Sequence, residues 1–245
     1  VVTEINNTFY DSLGADWLHR SDHPIAFLRV RNGRLASWVS EEIRRRIGSR
    51  SKVLDIGCGA GFLANYLANQ GFEATGIDLS ESSLHIAKAN GKATFQKANG
   101  YSLPFPNHSF DAVCAMDILE HVDTPNLLIA EASRVLRPGG LLFFHTYNRN
   151  WISYFFVIRG IRWFVRNTPK NMHVYSYFIR PDELHETFEE YKLRPTHWRG
   201  FRPKFFSALK ILRHRTIPTN LNYQFCRSKL TGYCGIAEKQ VKYWL

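Results

Sequence analysis

Apolar and polar positions change period several times along the chain, and each change marks an element. Short apolar runs bounded by turn residues predict strands at Lys52 to Ile56, Glu73 to Ile77, Thr94 to Lys97, Phe110 to Met116 and Leu141 to Thr146. Helical spacing between them predicts helices from Gly61 to Asn69, from the N-cap Ser80 through Asn90, and from Pro125 to Leu136, the last stopped by Pro138-Gly139-Gly140. Two more helices, Thr3 to Tyr10 and Leu35 to Ile47, precede the first strand. Strands that alternate with helices predict an α/β fold, a mostly parallel sheet with helices on both faces. A ligand then belongs at the carboxyl ends of the first and fourth strands, where the chain order reverses.

Beyond Asn148 the pattern changes. Trp151 to Val165 is rich in Trp, Phe, Tyr and Ile, with Arg159, Arg162 and Arg166 spaced by three and four. At helical spacing those arginines share a sector of roughly 60°, giving one cationic edge and a broad aromatic face. Such a helix reads as a cover on the sheet, as a lid over a site, or as an element lying in the interface of an anionic membrane. A short helix is expected from Pro181 to Phe188, followed by an irregular Pro/Arg-rich stretch to Pro218. Tyr233 to Glu238 is expected to close the sheet as a last strand.

Composition narrows the class. The 245 residues are 44% hydrophobic, enough for one α/β domain with additions. No apolar run is long enough to span a bilayer, and no signal-peptide pattern opens the chain. The four cysteines, Cys58, Cys114, Cys226 and Cys234, lack metal-ligand spacing, which favours a reducing, cytoplasmic setting. A net charge of +11 calls for a partner or an explanation, and the basic residues gather before Ser51 and after Asn148. Without a helix-turn-helix, zinc-finger or RNA-recognition signature, no nucleic-acid partner is expected.

The chemistry is concentrated in Val53-Leu54-Asp55-Ile56-Gly57-Cys58-Gly59-Ala60-Gly61, a strand breaking into a glycine-rich turn, with Asp78 ending the next strand. Gly57, Gly59 and Gly61 allow a sharp turn with open amides. Asp78, about twenty residues on, suits the two ribose hydroxyls of a nucleoside. A dinucleotide fingerprint sets its third glycine three positions after the second, whereas Gly61 follows Gly59 by two. Asp55 before the turn suits an amino group rather than a diphosphate. S-adenosyl-L-methionine therefore fits better than NAD.

The turn, Gly76-Ile77-Asp78, Asn99-Gly100 followed by Leu103-Pro104-Phe105, Phe110-Asp111-Ala112-Val113, and Arg137-Pro138-Gly139-Gly140 together resemble the ordered motifs of class I S-adenosylmethionine-dependent methyltransferases. More narrowly, Leu119-Glu120-His121-Val122, Thr146-Tyr147-Asn148-Arg149-Asn150, Pro169-Lys170 with His173, and Phe178-Ile179-Arg180-Pro181 with Glu183-Leu184 are similar to the ubiquinone biosynthesis O-methyltransferases. The resemblance implies a Rossmann-like sheet with N-terminal helices and a C-terminal lid insertion. It divides the chain into a helical cap (1–50), a cofactor core (51–147), a lid with substrate and membrane contacts (148–220) and a final strand completing the sheet (221–245). It assigns the cofactor to Asp55, Gly57, Gly59, Gly61, Asp78, Leu79, Asn99, Gly100 and Met116. An arginine before the first strand joins them, matched here by Arg34 with Arg31 as the competing alignment. Asn99 stands where many relatives carry Asp.

The acceptor implied is a lipophilic phenol or catechol, a polyprenylated ubiquinone precursor held at the membrane, which places the protein in the cytoplasm or peripherally on the inner membrane face. Asp117, Glu120 and His121 are the catalytic candidates. They suit a divalent cation, Mg²⁺ by the resemblance, that would orient and acidify a catecholate; a metal-free site with His121 as base; or a structural turn. His145 and His173 are weaker candidates. Two further readings stay open: a methyltransferase for another small aromatic or lipid-like acceptor by O- or C-transfer, and a non-catalytic cofactor-fold protein that binds membrane or RNA.

Overall fold

A computed structural model describes residues 4–241 apart from 206, 208–210 and 212–214. Its strands are Lys52–Ile56 (β1), Glu73–Asp78 (β2), Thr94–Lys97 (β3), Phe110–Met116 (β4), Leu136–Tyr147 (β5), Leu193–Pro203 (β6), Tyr223–Cys226 (β7) and Gly232–Lys239 (β8). They form one sheet in the order β3-β2-β1-β4-β5-β8-β6-β7. The first five are parallel neighbours. β8 runs antiparallel between β5 and β6, and β7 pairs antiparallel with β6. The helices are Asp16–His19 (α1), Ile25–Arg46 (α2), Phe62–Asn69 (α3), Glu81–Ala89 (α4), Pro125–Val135 (α5), Trp151–Ser153 (α6), Ile161–Phe164 (α7) and Pro181–Glu190 (α8).

Both faces of the parallel strands are buried, which is why they read as near-continuous apolar runs. Alternation sends Leu54, Ile56, Val113, Leu142 and Phe144 to one face, against Leu128, Ile129 and Ala132 of α5 and Leu184 and Phe188 of α8. Val53, Cys114, Leu141 and Phe143 take the other, against Leu35, Val39 and Ile43 of α2 and Leu63 and Leu67 of α3. The order reverses between β1 and β4, so their carboxyl ends open side by side.

The structure departs from the sequence reading in five places. Where a helix from Thr3 to Tyr10 is expected, Thr3 lies outside the described residues and the chain instead makes a 3₁₀ turn at Thr8–Ser12. Asn6 and Asn7 are drawn into bonds with Asn171 and His121, which the helical backbone would not reach. The helix expected from Leu35 begins at Ile25, after Pro24; Arg29, Arg31 and Arg34 break the apolar pattern of its first turns, although Arg31 is buried. The stretch expected to be irregular contains β6, with Pro195 at a register shift where its missing N–H leaves the ladder intact. That strand lies inside the expected lid segment yet belongs to the sheet. Tyr233 to Glu238 is indeed strand, but β8 is interior and β7 forms the edge. Finally, Tyr154–Gly160 is wound as a π-helix, so the residues from Trp151 to Phe164 do not keep one 100° phase.

Candidate active site

A cavity of about 340 Å³ lies over the carboxyl ends of β1, β2 and β4. Gly57, Gly59 and Gly61 follow β1 with φ of 70°, 51° and 74°. Gly61 shows why no side chain is tolerated there: a Cβ would stand 2.6 Å from the Phe95 ring and 2.8 Å from Ala87. The turn thereby brings Gly59 N–H to Asp78 Oδ2 at 2.8 Å, while the Ser80 N–H donates to Oδ1 at 2.9 Å. Asp78 is thus pinned at the rim with lone pairs left for two hydroxyls, and burial raises its pKa. Asp55 lies deeper. Burial pushes its carboxyl up to about 8 against a bond from the Ala64 amide, and among the described residues no cation pairs with it.

The expected Leu79, Asn99, Gly100 and Met116 all line the same cavity. Asn99 Oδ1 accepts from the Tyr101 N–H at 2.9 Å, so one of its lone pairs is already engaged by the loop. Arg34 is not among the lining residues; it is exposed, its guanidinium 5.6 Å from the Phe225 ring centroid. Arg31, one turn earlier, is the buried one. It bonds Asp117 at 2.7 Å and the Tyr147 hydroxyl at 2.6 Å, so it holds the acidic cluster rather than lining the cavity.

Asp117, at φ 59°, follows β4 in a left-handed conformation that is rare outside glycine. Its Oδ1 also bonds His145 Nδ1. Burial alone would raise the Asp117 carboxyl, but Arg31 and His145 together hold it below the usual carboxylate range. Glu120 goes the other way, raised by burial and by the charge of Asp117. Its Oε2 accepts from Thr146 Oγ1 at 2.8 Å, and Oε1 has no hydrogen-bond partner among the described residues. His121 turns away from both carboxylates. Its Nδ1 meets Asn7 Oδ1 at 3.1 Å, and its ring lies 5.4 Å from that of His173. Burial pushes its pKa down to about 4, helped by Arg31 and opposed by Asp117, so the imidazole is neutral near pH 7.

This corrects the expected metal set. Asp117 and Glu120 stay together, but among the described residues the histidine whose donor lies with theirs, all within 4.8 Å of one another, is His145 and not His121. That site offers two carboxylates and an orphaned oxygen to a divalent cation, with Arg31 opposing a second positive charge beside Asp117.

Asn7, Thr8, Tyr10, Asp11 and Trp17 also line the cavity, as do Leu28 and Asn32 of α2. The N-terminal segment lies against α4 through Ser82 Oγ to Asp11 O at 2.9 Å and Trp17 Nε1 to Ser83 Oγ at 3.2 Å. The one signal for these residues in the sequence is the clustering of Phe9, Tyr10 and Trp17 ahead of the first strand.

The residues suit S-adenosylmethionine: a buried carboxyl short of a cation for the ammonium, a pinned carboxylate for the ribose, and a volume within the usual range for ligand pockets. Residues 54–144 match the methyltransferase domain family. The ubiquinone biosynthesis O-methyltransferase of Bordetella avium is 37% identical over 198 residues, 78% of this chain and 80% of that protein. Its counterpart from Thiobacillus denitrificans is 35% identical over 208 residues, 82% and 84% of the two chains. In fold, a SAM-dependent methyltransferase from Methanosarcina mazei aligns with a TM-score of 0.57 at 23% identity, covering 82% of this chain and 98% of that one. A Pyrococcus horikoshii protein aligns at 0.62 and 15% identity over 96% and 100%. The chain is a class I S-adenosylmethionine-dependent methyltransferase and belongs to the family of ubiquinone biosynthesis O-methyltransferases.

Proposed function

We propose that the protein methylates a phenol or catechol hydroxyl of a polyprenylated ubiquinone precursor, with His121 as the base. The observation that carries the reading is that a neutral, buried imidazole and the two cofactor carboxylates, Asp55 and Asp78, share one cavity. When bound, S-adenosylmethionine supplies a methyl group activated by its sulfonium. Asp55 holds the ammonium end and Asp78 the ribose, which fixes the direction from which the methyl is presented. His121 takes the phenol proton as the oxygen–carbon bond forms and the sulfur–carbon bond breaks. Tyr10 and Trp17 screen the site from water. The test is methyl transfer from labelled cofactor to short-chain catechols and phenols. Transfer that falls ~10²-fold or more in His121→Gln supports the reading, and turnover only of unrelated aromatic or lipid-like acceptors overturns it.

A second reading adds a cation. The clustering of the Asp117, Glu120 and His145 donors and the unpartnered Glu120 Oε1 favour it. These residues would hold Mg²⁺, which would orient and acidify a catecholate oxygen. Activity lost in chelator and restored by Mg²⁺ supports this; full activity in chelator removes it. We also propose that the segment from Trp151 to Phe164 meets an anionic membrane surface on its inner face, where the lipophilic acceptor would reside. Support comes from the exposure of Trp151, Phe155, Phe156, Trp163 and Phe164 beside Arg159, Arg162 and Arg166. No helix among the described residues is long and apolar enough to cross a membrane.

A further inference from the structure

We infer that Asn7 is a positioning residue that locks His121 in the tautomer protonated on Nδ1, leaving Nε2 as a bare acceptor. This rests on the reading of His121 as the group that takes the acceptor's proton. The Asn7 carboxamide makes two contacts with the same residue: Nδ2 donates to the His121 backbone carbonyl at 2.8 Å, and Oδ1 meets the ring Nδ1 at 3.1 Å. A carbonyl oxygen only accepts, so the amide nitrogen must face it. Turning the amide over would set oxygen against oxygen. The amide oxygen therefore faces Nδ1, and since it too only accepts, Nδ1 must carry the hydrogen. A neutral imidazole has one such hydrogen, and Nε2 keeps its lone pair.

Asn7 is itself held in place. The Asn6 N–H donates to Asn171 O at 2.9 Å, Thr8 Oγ1 donates to Asn6 Oδ1 at 2.9 Å, and the following turn is anchored by Ser82 on Asp11. The N-terminal segment that lines the cofactor cavity thus also sets the protonation pattern of the base, across 114 positions of sequence. With Nε2 bare, the phenolic O–H bond can break toward it as oxygen takes the methyl and sulfur keeps the electron pair of the broken bond. With the opposite tautomer, Nε2–H would face the phenol and no acceptor would be in place.

The experiment is two-dimensional ¹H–¹⁵N spectroscopy of the full chain labelled with ¹⁵N-histidine, His121 being assigned by its loss in His121→Gln. A protonated Nδ1 and an unprotonated Nε2 are expected, retained in Asn7→Asp, whose carboxylate still accepts from Nδ1–H, and lost or mixed in Asn7→Leu. In the methyl-transfer assay Asn7→Leu should lower kcat by ~10²-fold or more, the contribution of a positioned general base. The fall should exceed any rise in KM for the cofactor, and Asn7→Asp should recover most of it. A wild-type His121 protonated on Nε2 overturns the inference, and so does an Asn7→Leu protein with unchanged tautomer and kcat. Because the spectrum of the wild type needs no acceptor, the two readings fail separately. The stated tautomer with full activity in His121→Gln would overturn the catalytic reading alone.

Discussion

Asp55 and Asp78 share a wall of one cavity but are prepared for different partners. Asp78 receives two backbone N–H groups and stands ready to accept from hydroxyls, whereas Asp55 is buried with its carboxyl pushed up to about 8. An ammonium group beside Asp55 favours the charged form, so cofactor binding near pH 7 should release a proton. Calorimetry in buffers of different ionisation enthalpy would register it, and Asp55→Asn should abolish it; binding without proton release refutes the assignment. The same raised value means that between about pH 4 and 8 the empty native state holds a proton that the unfolded chain has lost. Stability of the empty protein should therefore fall as pH rises through that window, and cofactor affinity should rise toward pH 8 and level off. Asp78→Ala removes two charge-assisted hydrogen bonds at ~1.5–3 kcal/mol each and should weaken cofactor binding by ~10²-fold or more; an unchanged Kd in a direct titration would remove Asp78 from the site. These two residues are readable in the sequence because two short motifs, the turn at 53–61 and the Gly76-Ile77-Asp78 strand end, carry them at the expected separation. Asn7, Tyr10 and Trp17 are not, because only the fold lays the N-terminal segment across the cavity. Arg31 and Arg34 cannot be told apart by type; on α2 Arg31 is buried against Asp117 and Arg34 is exposed, and neither lines the cofactor cavity.

At the scale of elements, β5 is the strand on which the two halves of the sheet meet. Phe144 on it is fully buried, with ring centroids 5.0 Å from Phe188 of α8, 5.0 Å from Trp198 of β6 and 6.3 Å from Tyr233 of β8. Phe144→Ala leaves a cavity shared by three elements and should cost ~3–5 kcal/mol, read as a shift of the urea midpoint at constant m. A loss under 1 kcal/mol would mean that the neighbours collapse into the space. The strands of the parallel half are plain in the sequence because burial on both faces makes each an apolar run between turns. β6 is not, since Pro195, Arg199 and Arg202 interrupt the pattern and its partner β8 lies some forty residues on, so pairing rather than local preference makes it a strand. β8 reads correctly as strand because it is buried, but its interior place depends on β6 being present to cover it. The π-helical turns after Trp151 are equally silent, for nothing in an aromatic run distinguishes i to i+4 from i to i+5 bonding.

Over the whole molecule the +11 charge and the exposed aromatic side chains fall to the regions flanking the cofactor core. Trp151 is 80% exposed and Phe156 64%, beside exposed arginines, an arrangement that water alone does not favour. Basic residues at an anionic surface contribute ~1 kcal/mol each, so Arg159, Arg162 and Arg166 together imply ~10²-fold tighter binding to anionic than to zwitterionic vesicles at low salt. That ratio should shrink as salt shortens the screening length to ~3 Å near 1 M, while the aromatic contribution, being apolar, should persist. Vesicle co-sedimentation across salt concentrations separates the two terms. Trp151→Ala with Phe156→Ala should weaken binding to both vesicle types and leave cofactor affinity unchanged, since neither residue lines the cavity. Replacing the three arginines by glutamine should erase the preference for anionic lipid alone. Equal binding to both vesicle types at low salt would show that the charge serves some other partner, and unaltered binding by the aromatic double variant would remove this helix from the contact.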